Sequence, residues 1–239
     1  MDQPVRPAPA TYEELARLLN LPLVKPELTS PQVFEGLEAA KRYGMGCAMV
    51  RPLDIDLAVR ALEASAVRPG AVAAFPHGTS GTAVKLYEVR DLLRRGAKEI
   101  GMVVAISKLL SREFPYVQTE LLQASEACHQ EGAALTLMLE SPWLTEEAKI
   151  VACRCAERAE VGVVASGPTV AEIALLRRHL PEETGVAAWG EIETLDALLE
   201  LHAAGATRFV TGTAAVILEA WKAQIAATQV TQPEPPSVS

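Results

Sequence analysis

Eight short apolar runs, rich in β-branched residues, punctuate this chain, and longer amphipathic stretches that open on helix-start signals separate them. The runs are Leu21–Val24, Cys47–Val50, Ala71–Phe75, Glu99–Val104, Ala134–Leu139, Val161–Ala165, Gly185–Ala188 and Arg208–Thr211. Parallel strands require a crossover between neighbours, so this alternation is βαβ grammar, and eight repeats predict a closed α/β TIM-type (β/α)₈ barrel. At 239 residues, 49% of them hydrophobic, the chain can bury a full core as one domain. An open doubly wound sheet is the alternative, but the glycine fingerprint that cradles phosphate in its nucleotide-binding versions is absent.

Local signals set the punctuation. Ser30-Pro31 combines a serine able to accept backbone N–H groups with a proline suited to the first helical turn, and Thr169-Val-Ala-Glu172 reads as a capping box. Similar starts stand at Thr145-Glu-Glu147 and at Thr11-Tyr-Glu-Glu14, the latter predicting an extra N-terminal helix across the barrel bottom. Gly44, Gly96, Gly132 and Gly205 fall where helical patterns end and are expected in left-handed conformation. Residues 1–10 and the proline-rich tail 228–239 lack apolar periodicity and are expected to be flexible, leaving 11–227 as a single barrel domain.

Charge and cysteine usage narrow the function classes. A net charge of −8 and a pI near 5.2, without basic runs, argue against binding to nucleic acid or an anionic membrane. Cys47, Cys128, Cys153 and Cys155 lack metal-type spacing and read as reduced core thiols. No secretory signal or bilayer-length apolar run is evident, which gives a cytoplasmic expectation. No cofactor or metal is called for.

Beyond these patterns, a collinear set of segments is informative: Leu23-Val-Lys-Pro-Glu27, Phe75-Pro-His-Gly78, Val84-Lys85, Arg94-Gly-Ala-Lys-Glu-Ile100, Met102-Val103, Leu139-Glu140, Leu144-Thr145 and Ala204-Gly-Ala-Thr-Arg208. In this order, from about residue 12 to 220, the chain resembles the 2-deoxyribose-5-phosphate aldolase family. The resemblance implies an active site at the carboxyl ends of the strands. It also implies a strand-six lysine that forms a Schiff base, a strand-seven lysine that lowers the first one's pKa, and a strand-four aspartate that moves protons.

At the corresponding positions this chain carries Val163, Ala187 and Gly101, none able to perform its counterpart's task. A further family lysine on strand five corresponds to Thr136, and no lysine lies between Lys149 and Lys222, so a register slip restores nothing in strands six and seven. The family's Gly-Gly-x-Arg turn after strand seven reads Gly190-Glu-Ile-Glu193. Its two carboxylates would repel a phosphate dianion by roughly a kcal/mol per pair. The serine-rich turn after strand eight becomes Val210-Thr-Gly-Thr213, where Thr211 and Thr213 keep some hydroxyl donors. Trp189 stands at a small-residue position, either as core filling or as a stacking wall for a ligand.

The polar residues expected at the mouth are Lys25, Glu27, Arg51, His77, Glu140, Glu191 and Glu193. Lys25 is a candidate relocated amine, with a salt bridge to Glu27 or Glu140 as its structural alternative. His77 and Glu140 are candidate acid–base groups. Together with Glu191 they make a weak metal constellation, with loop fixing the favoured role for His77. Arg51 either pairs with Glu140 or grips a substrate carboxylate. Lys85, Arg90, Arg94 and Arg95 read as the solvated faces of helices.

Three readings follow. The favoured one is an aldolase-like pseudoenzyme acting by binding or assembly, as a homo-oligomer or together with an active relative. The second is an enzyme of altered chemistry on a small non-phosphorylated carbonyl compound, and the third an active deoxyribose-phosphate aldolase with a relocated lysine.

Overall fold

The computed structural model describes residues 7–139 and 141–230, and it is a closed barrel of eight parallel strands in sequential order. The strands are β1 (Leu19–Leu23), β2 (Cys47–Val50), β3 (Arg68–Ala73), β4 (Glu99–Val103), β5 (Ala134–Met138), β6 (Val163–Ser166), β7 (Gly185–Trp189) and β8 (Arg208–Val210). Closure comes from β1 pairing β8 through Leu19 with Phe209 and Asn20 with Val210. The sequence runs match these strands to within a few residues. The largest displacement is in β3, which starts at Arg68 because Arg68 and Pro69 pair with Cys47 and Ala48 of β2.

Around the barrel lie α1 (Tyr12–Leu18), α2 (Ser30–Tyr43), α3 (Ile55–Ala61), α4 (Thr82–Arg94), α5 (Ile106–Leu110), α6 (Phe114–Gln130), α7 (Glu146–Arg158), α8 (Val170–His179), α9 (Leu195–Ala203) and α10 (Ala214–Val230). Helix α1 is the expected extra element, held by a reciprocal capping box between Thr11 and Glu14. Its carboxyl end meets the start of β2, where Gly46 N–H donates to the carbonyls of Ala16 and Leu19. Trp221 of α10 clamps the other end, its indole N–H donating to Thr11 O at 3.1 Å.

The N-cap of α2 is Thr29 rather than Ser30, because the Thr29 backbone N–H and hydroxyl both donate to Gln32 Oε1. At α8 only half of the expected capping box forms. Thr169 Oγ1 accepts from Glu172 N–H, but the Glu172 carboxylate accepts from Ser166 and Lys149. Gly44, Gly96, Gly132 and Gly205 all have positive φ, at 65°, 103°, 63° and 110°.

Parts of the expected flexible termini are held. His202 Nε2 lies 3.0 Å from Pro7 O, Ala10 N–H donates to Glu14, and α10 continues to Val230. Residues 1–6 and 231–239 lie outside the described residues. Among the described residues, no helix is long and apolar enough to cross a membrane.

Outside the strands, one large apolar cluster joins the helices to the barrel wall. Inside, the barrel is filled in two tiers. At the floor, Glu99 accepts from Asn20 Nδ2 at 3.1 Å and from Arg68 at 2.9 Å, with the Thr136 hydroxyl at 3.5 Å. Above it, two separate clusters form, one of Cys47, Met49, Val72, Val103 and Met138 and the other of Val163, Ala165 and Ala187. The barrel therefore turns from polar to apolar on approaching the end where sites in this architecture are built.

Lys85 departs from the expected solvated face. It is fully buried in α4, its Nζ donating to Glu120 Oε1 of α6 at 2.8 Å and to Val103 O of β4 at 2.9 Å, while the Thr82 hydroxyl donates to Glu120 Oε2. Arg90 and Arg94 are exposed, whereas Arg95 is partly buried between Asp56 and Asp91. Removing one member of a buried pair strands the other charge. Lys85→Met is therefore expected to cost about 3–5 kcal/mol in urea unfolding, and the double variant Lys85→Met/Glu120→Leu to recover more than half of that.

Candidate site at the barrel mouth

Inward positions follow from the two-residue period of each strand. On β6 and β7 these are Val163, Ala165 and Ala187, all buried, with Trp189 packed over them and half-buried at the rim. Trp189 also meets Phe75, their ring centroids 6.3 Å apart and tilted by 40°. On β4 the inward position between Glu99 and Val103 is Gly101. A Cβ built there would stand 3.0 Å from Met138 Sδ and 3.1 Å from Met49 Cε, so two thioethers occupy the space that a longer residue at 101 would need.

No lysine stands on any of the eight strands. Lys149 is buried behind the wall, where it pairs with Glu172 of α8, whose other oxygen accepts from Ser166 Oγ at 2.7 Å. Lys25 is exposed after β1, and no described residue pairs with its amine. The expected bridge from Lys25 to Glu27 is not formed; Glu140 lies outside the described residues.

Arg51 spends its donors on the scaffold. Its Nε donates to Asp54 at 2.7 Å and one terminal nitrogen donates to the carbonyls of Lys25 and Pro26, which fastens the loop after β1 to the loop after β2. Thr211 and Thr213 do the same for the loops after β7 and β8. Their hydroxyls share a hydrogen bond at 2.9 Å, Ile192 N–H donates to Thr211 Oγ1, and Thr213 Oγ1 donates to Ile192 O. Glu191 and Glu193 flank Ile192 and are exposed. Asp54 and Ile192 were not singled out in the sequence, because an acid three residues after an arginine and a buried isoleucine are ordinary features.

Cavities lined by described residues open near this end. One, about 250 Å³, lies beside Trp189 at the ends of β5, β6 and β7, walled by Met138, Leu139, Ala165, Pro142 and Pro168. Another, about 490 Å³, lies between the ends of β3 and α4 and includes His77 with Phe75, Tyr87, Glu88 and Asp91. There Glu88 accepts from Ala74 N–H at 2.7 Å and Asp91 pairs with Arg94 and Arg95, leaving exposed His77 without either acid as partner. Among the described residues, no group of three or more His, Cys, Asp or Glu is placed to hold a metal ion.

This barrel can be compared with known proteins. The description "DeoC/LacD family aldolase" matches residues 1–166. The chain belongs to the DeoC/LacD aldolase family. A deoxyribose-phosphate aldolase of Thermococcus kodakarensis is 33% identical over 215 residues, covering 86% of this chain and 96% of that protein. Another, of Bacteroides thetaiotaomicron, is 32% identical over 219 residues, covering 89% and 92%. A tetrameric deoxyribose phosphate aldolase of Aeropyrum pernix superposes with a TM-score of 0.82 at 25% identity, covering 90% of this chain and 93% of that one.

In this DeoC/LacD family chain the cysteines form no disulfide, and all four are buried. Burial pushes the Cys128 and Cys153 thiols up to about 12 and raises Cys155 as well. Cys47, inside the barrel, is raised well above its usual range by burial and then by the Glu99 carboxylate below it. A thiol that resists ionisation is a poor nucleophile.

Two outcomes are expected from this packing. Gly101→Ala should cost about 1–3 kcal/mol in chemical denaturation through crowding of the methionines, and shortening Met138 to alanine in the same chain should relieve part of it. Ellman's reagent should find almost no fast-reacting thiol in the native chain at pH 8 and four after unfolding in guanidinium. Because the folded thiol pKa values lie above the unfolded one, the unfolded chain loses protons first as pH rises. Stability should therefore hold below pH ~9 and fall towards pH ~12.

Proposed function

We propose that this DeoC/LacD family chain does not form a Schiff base on a barrel lysine and acts instead by binding or assembly. The observation that carries this reading is the interior of the mouth. The positions that the family resemblance assigns to the nucleophilic lysine, its partner lysine and the proton-carrying aspartate hold Val163, Ala187 and Gly101, and Met49 and Met138 fill the space around the last. Valine cannot form an imine, and neither alanine nor glycine can move a proton. The relatives named deoxyribose-phosphate aldolase bring carbon–carbon lyase chemistry into view, but the Schiff-base form of that chemistry needs an amine at the reacting carbon.

The rim supports the same reading. Glu191 and Glu193 bring negative charge, while Thr211 and Thr213 already bond to each other and to Ile192, so a phosphate would meet few donors. Assembly belongs to the proposal too. Leu53, Val84 and Tyr87 are 70%, 60% and 72% exposed, apolar surface that pairing with a second copy or an active relative would cover. The tetrameric Aeropyrum pernix relative supports an oligomer, and the proposed setting is the cytoplasm, with 11–227 as the functional unit. The altered-chemistry alternative draws on one observation, the cavity that includes His77, where an exposed imidazole is available for proton transfer.

Borohydride reduction with deoxyribose 5-phosphate and a panel of small aldehydes and ketones, read by intact mass, tests the proposal. No stoichiometric adduct and no deoxyribose 5-phosphate cleavage at high protein concentration are expected. A stoichiometric adduct would overturn the proposal, and its loss in Lys25→Ala would identify a relocated amine.

A further inference from the structure

The cavity beside Trp189 is built from parts that the aldolase chemistry does not explain. It occupies about 250 Å³, and the described side chains that wall it carry no formal charge. Met138, Leu139, Ala165, Pro142 and Pro168 supply apolar surface, and Trp189 supplies a large aromatic one. The single hydroxyl among them, Ser166 Oγ, directs its proton to Glu172 Oε2 at 2.7 Å, so that donor is already used.

The walls are closed by a specific backbone choice. Gly190 has φ 150°, and a Cβ there would stand 2.9 Å from both Cδ and Cγ of Pro168. Only glycine lets the loop after β6 lie this close against the end of β7. On its other side, Trp189 is braced by Phe75. The indole N–H of Trp189 has no acceptor among the described residues, which leaves one donor at the rim of an apolar chamber.

We propose that this cavity binds a small, neutral, planar molecule stacked against Trp189, with at most one hydrogen-bond acceptor. Size and polarity select that class. An apolar cavity of about 150 Å³ accommodates benzene, so a chamber of about 250 Å³ suits a bicyclic ring. The described lining offers an anionic ligand no cation, and burying an unpaired charge among Met138, Leu139 and Ala165 is unfavourable. This inference rests on the reading that the mouth holds no Schiff-base lysine, since it takes the space over Ala165 to be a binding chamber.

Saturation-transfer NMR on the full chain, with indole and phenyl phosphate as probes, tests it. Indole is expected to receive saturation and to bind at least about tenfold more tightly than phenyl phosphate, a margin of about 1.4 kcal/mol. Ala165→Leu, which fills the chamber, and Trp189→Leu, which removes its aromatic wall, should each weaken indole binding about tenfold or more, with folding checked by circular dichroism. Absence of indole binding, equal binding of phenyl phosphate, or unchanged indole binding in either variant that folds would overturn the proposal. If neither variant folds, the contrast between the two probes on the unaltered chain still decides. Indole cannot form an imine, so failure here without a borohydride adduct removes the ligand class alone. An adduct removes the non-catalytic reading whether or not indole binds.

Discussion

A closed barrel of eight strands has an interior just wide enough for side chains, so every inward residue decides what else can be there. In this chain that space is divided sharply. Glu99 gathers Asn20 and Arg68 at the floor, where a charge is matched by hydrogen bonds. Above that layer the inward residues are thioethers, valines and alanines, closed at the rim by Trp189. A buried charge is tolerable only with partners, and the apolar side chains of these two clusters provide none. The packing thus favours neutral occupants at the mouth before any ligand is considered.

The lysines buried among the described residues lie on the far side of the barrel wall. Lys85 ties α4 to α6 and to the carbonyl of Val103, and Lys149 ties α7 to α8 through Glu172. Both lysines stand behind strands whose inward faces are apolar, so a buried amine in this fold is no sign of chemistry by itself. What distinguishes a structural lysine here is an acid on a neighbouring helix that accepts its proton at hydrogen-bond distance. The same division of labour runs along the loops. Arg51, Thr211 and Thr213 sit where ligands bind in barrels of this type, yet their donors hold one loop to the next.

Much of the architecture was legible in the amino-acid order because strand runs, helix caps and turn glycines are local signals, and local signals survive in a fold whose contacts run mostly between sequential neighbours. Val163, Ala187 and Gly101 were also legible, since a residue's chemistry is known once its strand and register are known. The partners were not. Lys85 sits in a pattern that reads equally as an exposed stripe, and only the approach of α6 reveals Glu120, 35 residues away. Thr169-Val-Ala-Glu172 has the spacing of a complete capping box, yet Ser166 and Lys149 compete successfully for the Glu172 carboxylate. The cavity beside Trp189 likewise depends on Pro168 meeting Gly190 across two loops, a juxtaposition that no spacing announces.

The interior substitutions also constrain one another, which bears on what a single reversion could restore. A lysine at 163 would stand among Ala165, Ala187 and Trp189, and desolvation there would lower its pKa and favour the neutral amine without any second lysine. The nucleophile would then be the easy part. A proton carrier at 101 has no room while Met49 and Met138 fill that position, and the phosphate end would still present Glu191 and Glu193. Gly101 and its two methionines therefore form one packing unit, and chemistry at this mouth would require that unit to be rebuilt together with the lysine.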